Sequence, residues 1–290
     1  MRTNEQANKM TSNISWKEIF KKLVIRMTPL FFRKCIAVWI SGQGWLRADK
    51  KRWWSQQLIS DLSVKDPNAY HKFMWLNHMN YAETYEISLR YGFENFNQSR
   101  KIFLSKLVDN FTILKNKNHK NIDSVFEVGC SSGYLLRHME EKLFSPETII
   151  HGCDIDKYAI DEGNKHLKKI GSNIELFHTD MEKLIELLEE KQYDFMFAAG
   201  VLLYLDEHCA TRLVKLMLSK TKQMLAITAL ACPSEDNSKL ENSIPRNRDK
   251  TWIHNVDRMI TQAGGKIIAR QWDDKMIDGN TIYFLFATPN

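Results

Sequence analysis

The strongest chemical signal in the chain is an octet, Phe126-Glu127-Val128-Gly129-Cys130-Ser131-Ser132-Gly133, running from a short apolar segment into a helix-like one. Gly129 and Gly133 permit a tight turn and let a ligand approach the backbone around Cys130. Ser131 and Ser132 are small enough to serve the same purpose. Dinucleotide and phosphate sites use such a strand-to-helix turn, and it also occurs as a plain tight turn without a ligand. Three further positions fall at comparable places. Asp154 and Ile155 end a second apolar run about 25 residues after Gly129, where a carboxylate can accept hydrogen bonds from both hydroxyls of a ribose. Asp180 and Met181 follow a third run, where a carboxylate and a backbone N–H can read an adenine edge. Asp180 also reads as an ordinary helix N-cap, and Asp154 as a turn residue. Ala199 and Gly200 close a fourth run with small residues facing the same crevice.

These positions need a frame to bring them together. From about Ser99 onward, short apolar runs (Ser124 to Gly129, Ile149 to Ile155, Asn173 to Phe177, Tyr193 to Ala199, Gln223 to Ala231) alternate with helix-like segments. That pattern predicts a parallel α/β sheet buried on both faces. A long polar stretch from Pro233 to Lys250 and a helix from about Thr251 to Ala263 follow. The last two runs, Gly265 to Gln271 and Thr281 to Ala287, have no helix between them, and Asp278-Gly279-Asn280 supplies turn chemistry for an antiparallel hairpin. Residues 1–98 read as a helical, basic cap and residues 99–290 as the ligand-binding domain.

The chain from about Ser124 to Pro289 resembles the class I S-adenosylmethionine-dependent methyltransferases. Glu127, Gly129, Ser131 and Gly133 match the family's first motif, with Ser131 in place of the usual middle glycine. Asp154 matches the second-strand acid, Asp180 the adenine-side acid, and Asp194 to Leu205 the fourth-strand motif. The closing hairpin resembles the family's reversed last strand. The resemblance implies a doubly wound, mostly parallel seven-stranded sheet with an antiparallel last strand, preceded by the helical cap. It implies S-adenosyl-L-methionine as cofactor and S-adenosyl-L-homocysteine as product. It assigns cofactor contacts to Glu127, Gly129, Cys130, Ser131, Gly133, Asp154, Ile155, Asp180, Met181, Ala199 and Gly200, and to Tyr81 or Tyr85 closing over the cofactor from the cap. A nicotinamide dinucleotide fits less well: Ser131 and Tyr134 occupy the second and third glycine positions of its motif, and Glu127 would repel a pyrophosphate.

Methyl transfer from a sulfonium is an in-line displacement, so the enzyme mainly aligns the acceptor and excludes water. A hydroxyl acceptor also benefits from a general base. His254 is the first candidate because it follows the long loop, a place where lids occur; His208 and Tyr204, after the fourth run, are the others. The expected acceptor is a small molecule or a sugar or glycan intermediate, methylated on oxygen. N-methylation of a small amine, RNA methylation and a non-enzymatic cofactor-binding role are the alternatives. No Asn/Asp-Pro-Pro-Tyr/Phe follows the fourth run, and Cys232-Pro233 stands without the other motifs of a cytosine methylase. Trp75, His78, Tyr81 and Tyr85 lie at mixed three and four spacings, as on one face of a helix, and Arg90 and Arg100 are available to an acidic acceptor.

Composition separates the two ends. Of 290 residues, 41 are Lys or Arg and 35 are Asp or Glu, yet the first 60 hold 12 of the basic and only 3 of the acidic residues. Five of the eight tryptophans (Trp16, Trp39, Trp45, Trp53, Trp54) fall there too. Ile19, Phe20, Leu23, Val24 and Met27 share one helical face, and Pro29 should break that helix. The region reads as a solvated basic helix, as a peripheral membrane contact, or as a grip on nucleic acid, which the net acidic remainder argues against. The longest apolar stretch, Leu30 to Ile40, carries Arg33 and Lys34 and is too short to span a bilayer. Five cysteines without a CxxC pair call for neither a disulfide framework nor a metal site. With no apolar core of a secretory signal in the first dozen residues, the expected location is cytoplasmic or membrane-peripheral.

Overall fold

The computed structural model describes residues 23, 27–43, 45–80, 82–118, 121–277 and 280–290. The chain divides into two compact units, Met1–Lys65 and Asp66–Asn290. The expected boundary at 98/99 therefore falls inside the second unit. Side chains explain the shift: Lys72 pairs with Glu182, His71 with the Lys250 carbonyl, and Asn68 with the Asp206 N–H, so the chain from Asp66 belongs with the sheet.

In the first unit, Pro29 precedes helix α1 (Leu30–Ser41), as its fixed φ and missing N–H favour at a helix start. Helix α2 (Ala48–Leu58) and a single turn, α3 (Leu62–Lys65), follow. Among the described residues of this unit, Ala37, Ile59 and Leu62 are the buried apolar positions.

The second unit opens with α4 (Pro67–Leu76), where Asp66 caps the N-terminus through the Ala69 N–H and Pro67 takes the first helical position. Helices α5 (Ala82–Tyr91) and α6 (Gln98–Asn118) lead into the sheet. Thereafter β1 (Ser124–Val128), α7 (Tyr134–Lys142), β2 (Ile149–Asp154), α8 (Lys157–Lys169), β3 (Glu175–His178), α9 (Met181–Leu187), β4 (Tyr193–Ala199), α10 (Glu207–Lys220) and β5 (Thr221–Leu230) alternate as expected. The segment after β5 departs from the expectation. Two-residue strands β6 (Ile244–Pro245) and β7 (Trp252–Ile253) pair across it, and α11 (Val256–Gln262) starts later than Thr251. Asn255 decides this start: its Oδ1 accepts the Arg258 N–H, while its Nδ2 donates to the Ser238 and Leu240 carbonyls. The hairpin β8 (Gly265–Ile277) and β9 (Asn280–Pro289) ends the chain, with both strands longer than the sequence suggests.

The seven strands run in the order β3-β2-β1-β4-β5-β9-β8. Pairing is parallel from β3 to β5, and β9 lies antiparallel between β5 and β8. Period-2 alternation divides the core between the two faces. Val125, Phe195 and Phe197 pack with Phe103 and Leu107 of α6 and Leu136 of α7. Phe126, Met196 and Ala198 pack with Leu213 and Val214 of α10 and Ile260 of α11. By the same alternation Glu127 points to the α6 face.

Candidate functional site

The turn after β1 is held by backbone geometry. Gly129 has φ +76°, and a Cβ there would stand 2.2 Å from a methyl of Val201, so only glycine fits. Ser131 also adopts the left-handed region, at φ +51°, which costs a non-glycine residue roughly 1 kcal/mol. The cost is met locally: the Ser131 N–H donates to Asp154 Oδ2 at 2.8 Å. The Gly129 and Cys130 N–H groups both donate to the Cys153 carbonyl, so this stretch offers a close-approach surface rather than free donors. The Ser131 and Ser132 hydroxyls are buried without hydrogen-bond partners.

Asp154, at the end of β2, also accepts the Asp156 N–H on Oδ1 at 2.9 Å. Burial pushes its carboxyl up to about 6, although these backbone donors pull the other way. Glu127 is more extreme. It is 1% exposed, its Oε2 has no hydrogen-bond partner, and burial drives its pKa well above the usual carboxylate range.

One cation opposes that burial. Arg100 reaches from α6, its Nε donating to the Tyr134 hydroxyl at 2.9 Å and its Nη2 to the Ala199 carbonyl at 2.6 Å. Burial disfavours its charge, but Tyr134, Tyr85 and Glu127 more than offset this, and its pKa is raised. Tyr85 stacks on Tyr134 with ring centroids 5.1 Å apart. Gly200 adjoins the guanidinium so closely that a Cβ would lie 2.8 Å from Nη2. Glu127, Arg100, Tyr134, Tyr85, Ala199 and Gly200 thus form one polar nest beside the turn. Among the described residues no group of His, Cys, Asp or Glu is arranged to hold a metal ion.

Residues 125–223 match the family described as a methyltransferase domain. They form a methyltransferase domain. The fold agrees: the crystal structure of magnesium protoporphyrin IX methyltransferase from Synechocystis PCC 6803 with bound SAH superposes with a TM-score of 0.52. The match covers 78% of this chain and all of that one at 14% identity. A S-adenosylmethionine-dependent methyltransferase from Clostridium acetobutylicum gives 0.48 at 11% identity over 72% of this chain and 97% of that one. In sequence, 78 residues are 35% identical to ribosomal RNA small subunit methyltransferase H from Mycoplasma mobile, 27% of this chain and 25% of that protein. The chain thus spans about a quarter of the length of the curated relative it matches.

The methyltransferase domain brings Glu127, Gly129, Cys130, Ser131, Gly133, Asp154, Ile155, Asp180, Met181, Ala199 and Gly200 to the carboxyl ends of β1 to β4. Asp180 acts as the N-cap of α9 through the Lys183 N–H and lies 3.6 Å from Lys72 Nζ. Burial raises its pKa, but the Lys183 N–H and Lys72 outweigh it and the net shift is downward. Tyr81 lies outside the described residues.

The acid–base candidates separate. His208 is exposed at the start of α10. Tyr204 is half-buried, its ring 5.1 Å from His71 and 5.2 Å from Trp75. His254 is 1% exposed and fully engaged: Nε2 lies 3.0 Å from the Leu202 carbonyl and Nδ1 2.7 Å from Ser243 Oγ. Because a carbonyl only accepts, Nε2 carries the proton and Nδ1 receives the serine hydroxyl. Burial lowers its pKa, so the ring is neutral. The long loop thus uses His254 as a strut toward the turn after β4.

The spacing of Trp75, His78, Tyr81 and Tyr85 suits one helical face, but α4 ends at Leu76 and α5 begins at Ala82. His78 stands in the turn between them, at φ +54°. Its Nδ1 meets Asp156 Oδ2 at 2.6 Å. No spacing in the sequence announces this pair, nor the contact of Arg100 with the site.

Proposed function

We propose that this chain transfers the methyl group of S-adenosyl-L-methionine to a hydroxyl of a small molecule or of a sugar or glycan intermediate. The observation that carries the reading is the buried Glu127 carboxyl, with an unsatisfied oxygen, in one nest with the cationic Arg100. A methionine moiety brings an ammonium and a carboxylate together, and the pair complements both. Arg100 spends two of its five N–H donors on Tyr134 and Ala199, so donors remain for a carboxylate. Asp154, with one backbone N–H on each oxygen, keeps lone pairs for the ribose hydroxyls. Asp180 and Met181 take the adenine side, Ile155 the sugar and base edge, and Tyr85 the cap side. Gly129, Cys130, Ser131 and Gly133 let the cofactor approach the backbone.

Bound there, the cofactor supplies an electrophilic methyl. The residues of this chain orient it, exclude water and present the acceptor oxygen in line. The acceptor face is assigned to Tyr204, His71 and Trp75. His254 is assigned to holding the loop, since neither ring nitrogen is free to take a proton.

Parallel calorimetric titration with S-adenosylmethionine, S-adenosylhomocysteine and NAD tests this. Binding of the first two and not NAD is expected; silence from both methionine-derived ligands overturns the reading. Tyr204→Phe should raise the acceptor KM and leave cofactor affinity unchanged. RNA methylation is a second reading, supported by the 35% identity over 78 residues to a ribosomal RNA methyltransferase. It requires tight, salt-sensitive RNA binding that depends on the basic first sixty residues.

A further inference from the structure

Helix α1 is built inside out. At 3.6 residues per turn, Phe31, Phe32, Cys35, Ile36, Val38 and Trp39 fall within an arc of about 160°. All six are exposed, Phe31 at 70% and Trp39 at 62%. The opposite face holds Ala37 and Arg33, and Arg33 is only 3% exposed. Its Nε donates to the Thr28 carbonyl, Nη1 to the Leu58 carbonyl and Asp61 Oδ1, and Nη2 to Asp61 Oδ2, at 2.6 to 2.9 Å. The two-pronged pair with Asp61 fixes the helix about its axis. Rolling α1 to bury its aromatics would strand both charges. The apolar face is therefore held outward by an ion pair whose arginine is buried and whose aspartate is half-buried, the reverse of an ordinary surface helix.

We infer that this face docks on an anionic phospholipid surface, with Phe31, Phe32, Ile36 and Trp39 entering the boundary between headgroups and acyl chains. Charge selects the occupant. The first 60 residues carry 12 Lys and Arg against 3 Asp and Glu, so two copies placed face to face would repel, whereas an anionic bilayer attracts them. Trp45, Trp53, Trp54, Arg47 and Lys50 are exposed in the same unit, the residue types that settle at a membrane interface. Geometry sets the mode. Twelve residues reach about 18 Å, well short of a bilayer core, and among the described residues no helix is long and apolar enough to cross one. The helix lies in the interface plane. The inference does not rest on the methyl-transfer reading.

The test is sedimentation of the full chain with vesicles of phosphatidylcholine alone and of phosphatidylcholine with phosphatidylglycerol, at low and high salt. Binding to the anionic vesicles only, weakened by salt, is expected. Phe32→Asp and Trp39→Asp, both at exposed positions, should each weaken it by about tenfold or more. Lys50→Glu should weaken binding without touching the apolar face. Circular dichroism and cofactor affinity should match the parent in all three. Failure to sediment with anionic vesicles overturns the inference, as does full binding by both Asp variants. A parent dimer that the Asp variants make monomeric, without vesicle binding, assigns the face to a second copy instead. Loss of cofactor binding by the parent itself sinks the methyl-transfer reading and leaves the vesicle result standing.

Discussion

The Nδ1 atom of His78 lies 2.6 Å from Oδ2 of Asp156, joining residues 78 positions apart in the chain. Asp156 is 1% exposed, and its other oxygen caps α8 through the Ala159 N–H. One carboxylate thus ties the turn before α5 to the segment that follows Asp154. His78→Ala leaves that buried oxygen short of a partner and should destabilise the second unit by about 1.5 to 3 kcal/mol. Urea unfolding measures it; a loss under about 0.5 kcal/mol would mean the pair carries little.

Glu127 should show opposition between stability and binding. Its folded pKa is raised by burial, so the folded state holds the proton more tightly than the unfolded chain does. Such a group destabilises the fold increasingly as pH rises from its unfolded value toward its folded one. Glu127→Gln should therefore raise the unfolding midpoint at neutral pH, with the gain disappearing below about pH 4. The same substitution should weaken S-adenosylmethionine binding by at least about tenfold through loss of the ammonium partner. In the parent, an arriving ammonium lowers the raised pKa, so binding should release protons. Calorimetry in buffers of different ionisation enthalpy reads that release directly.

For Asp154, acid should do what mutation does. Its carboxyl is pushed up to about 6, so it protonates as pH falls through that value and loses acceptor capacity for ribose hydroxyls. Cofactor affinity should fall across that window. Asp154→Ala should abolish cofactor binding and leave the fold largely intact. Retained affinity in that variant would remove the ribose assignment.

A strut and a base respond differently at His254. Its ring bridges Ser243 and the Leu202 carbonyl from a buried position. His254→Ala should cost about 2 to 4 kcal/mol, from two lost hydrogen bonds and a cavity. Ser243→Ala should follow in the same direction with a smaller loss. A turnover defect in His254→Ala with unchanged stability would restore it as a base.

At Ser131 two backbone effects oppose each other. Replacing a left-handed serine by glycine removes the backbone strain, partly offset by the greater freedom glycine gives the unfolded chain. Ser131→Gly should leave thermal stability within about 1 kcal/mol of the parent and keep cofactor binding, because the Asp154 contact uses the backbone N–H.

What the sequence determined by itself is local or periodic. Short continuous apolar runs between helical segments define the sheet, since a strand buried on both faces can contain little else. The turn from Glu127 to Gly133 is legible because its constraint is carried by the residues themselves: at Gly129 a side chain has nowhere to go. Asp154 and Asp180 are legible from their places at strand ends. The helix predicted from Thr251 begins instead at Val256, because Asn255 caps that later start by accepting the Arg258 N–H, held in place by the distant carbonyls of Ser238 and Leu240.

Only the tertiary structure decided the encounters across the chain. Arg100 reaches the carbonyl of Ala199, His78 meets Asp156, and His254 is enclosed between Ser243 and Leu202. It also decided that α1 buries its arginine and exposes its aromatics. Hydropathy alone assigns the opposite orientation, because it records the preference of each residue for water and not the partner that makes burial of a charge affordable. Asp61, 28 residues from Arg33, is that partner, and no local pattern encodes the pairing.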